Sequence, residues 1–166
     1  MSKSILVPID FSDVTDVLLA EATRLAKALD ARLWVVHVAT SGHVYTNFEA
    51  EIGLSYPRDE VAADLRDEHR QLQEYEAACR QDGLDATAML VQGKPGPKIV
   101  EEAQRLRPLF IALGSHGHGA LHHLLMGSVC EYVVQHATCP VMIVPSRVGA
   151  YITDTDAAEA KTLSRQ

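Results

Sequence analysis

Long apolar runs are missing from this chain: no stretch approaches the ~20 residues that span a bilayer, so membrane insertion is not expected. Cysteine is scarce and unpatterned. Cys79, Cys130 and Cys139 are an odd number without CxxC spacing, which argues against a disulfide framework and for small buried thiols in a reducing compartment. Positive charge is in deficit, with 15 Lys and Arg against 22 Asp and Glu and a formal net charge of -7. No basic stripe with interleaved aromatics offsets this, and Arg105 and Arg107 are neighbours of a proline rather than a patch. Nucleic acid, which demands a basic face, is therefore not an expected partner. A leader pattern of positive then apolar residues is also lacking, because Asp10 and Asp13 follow the first apolar run directly. The expected address is the cytoplasm.

What is present suits one globular domain. The 166 residues, 47% hydrophobic and 22% charged, are enough for one full core and too few for two. Ser4–Ile9 is almost wholly apolar, as in a strand buried on both faces. Leu18, Leu19, Ala22, Leu25, Ala26 and Leu29 recur at helical spacing, predicting a helix over Val14–Leu29. Arg32–Val38 reads as a second strand, Ala86–Val91 as a third, Leu109–Leu113 as a fourth and Pro140–Pro145 as a fifth. Helices are predicted from about Arg58 to Gln81, with Gly83 as its stop, from about Pro97 to Leu106, and from Ser128 to His136. Residues 39–57 show no period and read as a long loop of the kind that binds or covers a site.

Strands that alternate with helices and are apolar throughout predict an α/β fold. The expectation is a single-domain, open, parallel five-stranded sheet in the order 3-2-1-4-5, with helices on both faces, Rossmann-like in build. The domain is expected over residues 1–146, and 147–166 reads as a polar tail.

Open sheets of this kind bind ligands outside the carboxyl ends of their strands, where the strand order reverses. Two features meet that description. One is Pro8-Ile9-Asp10 at the end of the first strand. The other is Gly114-Ser115-His116-Gly117, nine further residues, then Gly127-Ser128 at a helix start, where free amides and the helix dipole favour phosphate oxygens. The spacing is not a Walker loop, because no lysine follows the glycines. Nor is it the dinucleotide fingerprint, which belongs after the first strand, where this chain has no glycine.

Glycine, two residues, glycine, nine residues, glycine, then serine resembles the nucleotide-binding signature of the ATP-binding branch of the universal stress protein family. Ile5–Asp10 with Ser12, the strand Val36–Val38 and the closing Thr138–Pro145 resemble the same family. The likeness covers residues 3 to 146. It implies that Pro8, Asp10 and Val38 line an adenosine site, with Asp10 accepting a hydrogen bond from ribose or adenine, and that Leu113 and Gly114 close against the nucleoside. It implies further that His116 and Gly117 begin a phosphate loop, and that Gly127, Ser128 and Val129 offer amides and a hydroxyl to a triphosphate. ATP is the implied ligand, expected with Mg²⁺: residues 114–129 hold no lysine or arginine, so neutralisation is left to His116, His118 or a divalent ion.

Rival readings of the same residues are weaker. His116, His118, His122 and His123 cluster in sequence, but no acidic residue lies between Leu109 and Cys130 to complete a zinc site. Ser128 has no nucleophile elbow. Two functions stay open: a nucleotide-dependent stress-response regulator read by a protein partner, and a slow ATPase or phosphotransfer enzyme using the same site. The absence of an organised base or arginine finger favours the regulator. The apolar fifth strand, at a sheet edge with no polar guard, is expected to pair with its copy in a homodimer, as the resemblance also implies.

Overall fold

Ser4–Ile9 (β1) is buried along its whole length, and that burial comes from its place at the centre of a five-stranded parallel sheet. The computed structural model describes residues 3–40, 58–115 and 127–145. Within them the chain runs β1, α1 (Val14–Leu29), β2 (Arg32–Ala39), α2 (Arg58–Gln81, side chains described from residue 62), β3 (Ala86–Gln92), α3 (Pro95–Leu106), β4 (Phe110–Gly114), α4 (Ser128–His136) and β5 (Val141–Val144). The sheet order is β3-β2-β1-β4-β5, with every neighbouring pair parallel, as the sequence predicts.

Successive strand side chains point to opposite faces, and two cores result. Ile5, Val7, Leu33, Val35 and Ala112 pack with Leu18, Leu19 and Ala22 of α1 and with Leu72 and Cys79 of α2. Leu6, Val36, Val38, Ile111 and Leu113 pack on the opposite face with Ile99 and Ala103 of α3 and Cys130 and Val133 of α4. The solvated character expected of the charged α2 holds for most of its described surface, where Arg70 pairs with Asp67 and Glu74. Leu72 and Cys79 anchor it to the sheet. Gly83 ends it as expected, at a φ of +82°, with its N–H donating to the Arg80 carbonyl and that of Leu84 to Cys79, a left-handed helix stop.

Five elements differ in their limits from the sequence reading: β2 and β3 run one residue further, to Ala39 and Gln92, β5 is confined to Val141–Val144 between its flanking prolines, and α3 and β4 are displaced. α3 starts at Pro95, two residues early, because proline at the first helical position needs no N–H partner. β4 is shifted by one residue, to Phe110–Gly114. Cys79 and Cys130 are buried free thiols and Cys139 is half-buried. Trp34 packs, with the Arg32 guanidinium 4.3 Å from its ring centre. Residues 41–57, His116, Gly117, His118, His122, His123 and the 147–166 tail lie outside the described residues. Among those described, no helix is long and apolar enough to cross a membrane.

The sheet opens at the switch between β1 and β4. The Lys3 carbonyl accepts from Arg32 N–H (3.0 Å) and the Ser4 carbonyl from Leu109 N–H (2.7 Å). Odd residues of β1 thus turn their backbone to β2, and even residues turn theirs to β4. Pro8, an even residue, has no N–H to offer β4. The β1–β4 ladder stops at Leu6↔Ile111, while β1 continues along β2 to Ile9↔His37 and β4 along β5 to Gly114↔Val144. A proline inside the central strand thereby helps to keep the carboxyl ends apart.

Candidate functional site

The opening is a groove of about 760 Å³ at the carboxyl ends of the strands, within the usual range for small-molecule sites. Eight of the ten residues expected at a site line it: Pro8, Asp10, Val38, Leu113, Gly114, Gly127, Ser128 and Val129. His116 and Gly117 lie outside the described residues.

Each wall is built by a local device. At the end of β1, Asp10 Oδ1 accepts from the Ser12 amide (3.1 Å) and from the Ser12 hydroxyl (2.6 Å). This turn mimics a backbone turn with a side chain and holds the carboxylate at the groove. Phe11, between them, adopts a φ of 60°, which is uncommon for a residue with a side chain. That backbone carries the Phe11 ring onto His37, with 4.2 Å between ring centres. His37 is buried, and its Nδ1 lies 2.9 Å from the Ile9 carbonyl. A carbonyl can only accept, so Nδ1 carries the proton. Nε2 faces the Glu68 carboxylate of α2 at 3.8 Å.

Three described helices start at the groove, and they are not electrically alike. α1 begins at Asp13 with Asp16 in its first turn, so its start is acidic. α3 begins Pro95-Gly96-Pro97, so two of its first three residues have no N–H. α4 begins at Gly127 with no side-chain cap, and its first intrahelical bond runs from Glu131 N–H to the Gly127 carbonyl (3.0 Å). The amides of Ser128, Val129 and Cys130 therefore have no partner within the helix, as at any helix start. Gly127 has ordinary dihedral angles (φ -59°, ψ 154°), and a Cβ built on it meets no described residue within 4 Å. Neither backbone nor packing among the described residues calls for glycine there. Its absent side chain leaves room in the groove.

The groove thus has an acidic, hydrogen-bond-accepting end at Asp10 and an amide-donating end at α4. No lysine or arginine is among its described lining residues. The Thr15 hydroxyl, on a residue that lines the groove, is buried with no hydrogen-bond partner among the described residues. Cys130 sits in the first turn of α4, and its Sγ donates to the Gly114 carbonyl at 3.0 Å. Burial first, and the charge of Asp10 second, push its thiol pKa up.

Sequence reasoning did not single out Phe11, Thr15, His37, Glu68 or Cys130 as site residues. Cys130 had a signal in its place, in the same helical turn as Gly127-Ser128. His37 is adjacent to Val38 on the alternate face of β2. Glu68 reaches the groove from a distant helix and carries no local mark.

Residues 1–145 match the universal stress protein family profile. Universal stress protein YxiE of Bacillus subtilis is 30% identical over 149 residues, covering 87% of this chain and 99% of that protein. The solved structure of universal stress protein UspA from Lactobacillus plantarum superposes with a TM-score of 0.72 at 24% identity, covering 86% of this chain and 97% of that one. A family member from Arabidopsis thaliana, solved with AMP bound, superposes with a TM-score of 0.59 at 21% identity, covering 89% and 93%. The match across nearly the whole length places this chain in the universal stress protein family.

Proposed function

We propose that this protein belongs to the ATP-binding branch of its family and that ATP, with Mg²⁺, occupies the groove as a regulatory ligand. The observation that carries the reading is the polarity of the groove. Asp10, held by Ser12, accepts from the ribose or adenine end. The amides of Ser128, Val129 and Cys130 and the Ser128 hydroxyl donate to phosphate oxygens, reinforced by the α4 dipole. The proline-blocked start of α3 and the acidic start of α1 are poor phosphate sites, so α4 sets the direction of the ligand. Val38 and Leu113, buried beside the groove, supply apolar contact for the nucleoside. The AMP held by the Arabidopsis relative supports a nucleotide over other anions.

Among the described residues no group of three His, Cys, Asp or Glu side chains converges to hold a metal ion. Mg²⁺ bound together with the nucleotide would supply the positive charge that the described lining of the groove lacks. No Lys or Arg stands at the described amide end to stabilise charge developing on a transferred phosphoryl group. The bound nucleotide accordingly acts by its presence: it bridges the β1 turn to α4, and a protein partner reads that state.

Mass spectrometry of the nucleotide released on denaturing freshly purified protein tests the ligand, with ATP expected. Single-turnover hydrolysis tests the role. A rate far below the ~1–100 s⁻¹ of kinases agrees with a regulatory ligand, and a rate inside that range assigns the groove to an enzyme.

A further inference from the structure

We propose that Cys130 is a positioning residue for the phosphate end of the groove, through its hydrogen bond to the Gly114 carbonyl. The inference rests on the nucleotide reading of the groove for its functional consequence, and on geometry for the bond itself.

The peptide unit joining Gly114 to Ser115 is held at both ends. Its carbonyl accepts from Cys130 Sγ at 3.0 Å, and its N–H donates to the Val144 carbonyl of β5 at 2.9 Å. The β5 bond alone continues the sheet ladder and fixes one side. The thiol adds a tie from another element, the first turn of α4, which also presents the Ser128 and Val129 amides. The end of β4 and the amide cradle are thereby fixed relative to each other. Gly114, lacking a Cβ, is the residue where this peptide could most easily rotate, and the thiol bond opposes that rotation.

Consider the same site with the donor removed. The Gly114 carbonyl either stays unpaired, at a cost, or turns to find another donor. A carbonyl oxygen turned into the groove faces the phosphate end and repels it. The loss therefore falls on phosphate-bearing ligands and spares the nucleoside contacts made by Asp10 and Val38. Burial and the nearby Asp10 charge both favour the protonated thiol, so the donor is retained at neutral pH and the tie does not depend on ordinary changes in acidity.

The test compares wild type, Cys130→Ala and Cys130→Ser in the full chain by calorimetry with Mg-ATP and with adenosine. Cys130→Ala is expected to weaken ATP by about three- to tenfold, the scale of one hydrogen bond, while adenosine changes less than about twofold. Cys130→Ser keeps a donor and is expected to recover most of the ATP affinity. Equal losses for ATP and adenosine, no loss in Cys130→Ala, or no recovery in Cys130→Ser overturns the assignment. Amide hydrogen exchange at Ser115, measured without ligand, judges the tie independently. Faster exchange in Cys130→Ala than in Cys130→Ser supports it, and unchanged exchange overturns it. Failure of wild type to bind either ligand sinks the nucleotide reading and leaves the tie to the exchange result.

Discussion

Gly96 is where the fold and the groove are mechanically joined, so its replacement makes a demanding test. It lies in the first turn of α3 and is buried against α4. A Cβ placed on it would sit 2.8 Å from Tyr132 Cδ1, 2.9 Å from Cγ and 3.0 Å from Cβ. Ordinary carbon contacts begin near ~3.5 Å, so the two helices would have to separate by roughly half an ångström. Tyr132 cannot simply swing away: its ring stacks on His136 at 4.0 Å, and its own Cβ is among the blocked atoms. Overpacking of this kind costs about 1–3 kcal/mol. Alanine returns up to ~1 kcal/mol through helix propensity, and less than that so near a helix start. Gly96→Ala should therefore destabilise the protein by about 0.5–2 kcal/mol, lowering the urea midpoint with an unchanged slope. Tyr132 lies one turn beyond Ser128, so nucleotide affinity should fall as well. Shortening the opposing side chain, as Tyr132→Ala, should make the two substitutions less than additive. A Gly96→Ala midpoint at or above that of wild type would refute the packing argument.

Other consequences follow from the same geometry. Asp10→Ala should weaken ATP binding by about 1–3 kcal/mol in calorimetry, the scale of a lost hydrogen bond to a charged group; an unchanged affinity would remove Asp10 from the site. Cys79, Cys130 and Cys139 all have thiol pKa values pushed up, mainly by burial. The unfolded chain therefore releases these protons first. Stability contributed by the buried thiols should be complete below the ordinary thiol value of ~8.5 and fall as pH rises past it; urea unfolding between pH 7 and 10 reads this, and a midpoint that rises would contradict it. We propose a homodimer through β5, a sheet edge whose Val141, Met142 and Ile143 are only half-buried. Light scattering should report about twice 18.1 kDa, and Met142→Lys or Ile143→Lys should give monomer or insoluble protein; a monodisperse wild-type monomer would refute it.

Much of the fold was legible because its strands are apolar throughout and its helices are periodic. β1 and the limits of α1 and α4 match the sequence reading, since Asp13 and Gly127 mark real starts. Pro95-Gly96-Pro97 misled in a specific way. The sequence reading starts the helix only at about Pro97, yet at the start of a helix the missing N–H groups cost nothing. The glycine was there to admit Tyr132, which no local pattern announces. In the groove, Pro8, Asp10 and Gly127-Ser128 were readable because backbone chemistry at strand ends and helix starts leaves a sequence mark. Phe11 was not, because its left-handed backbone is set by the Asp10–Ser12 turn. Glu68 meets His37 only through the packing of α2 on the sheet, and the Cys130 thiol finds the Gly114 carbonyl only because α4 and β4 meet in space.

In the proposed function, the amide end of the groove, built around Gly127, receives the phosphates of ATP. Calorimetric titration of wild type and Gly127→Val with Mg-ATP tests this, because a Cβ at this position meets no described residue within 4 Å and should leave the fold intact. One nucleotide per chain is expected for wild type and, for Gly127→Val, a large loss of ATP affinity with an unchanged urea midpoint. Equal ATP affinity in the two proteins would contradict it.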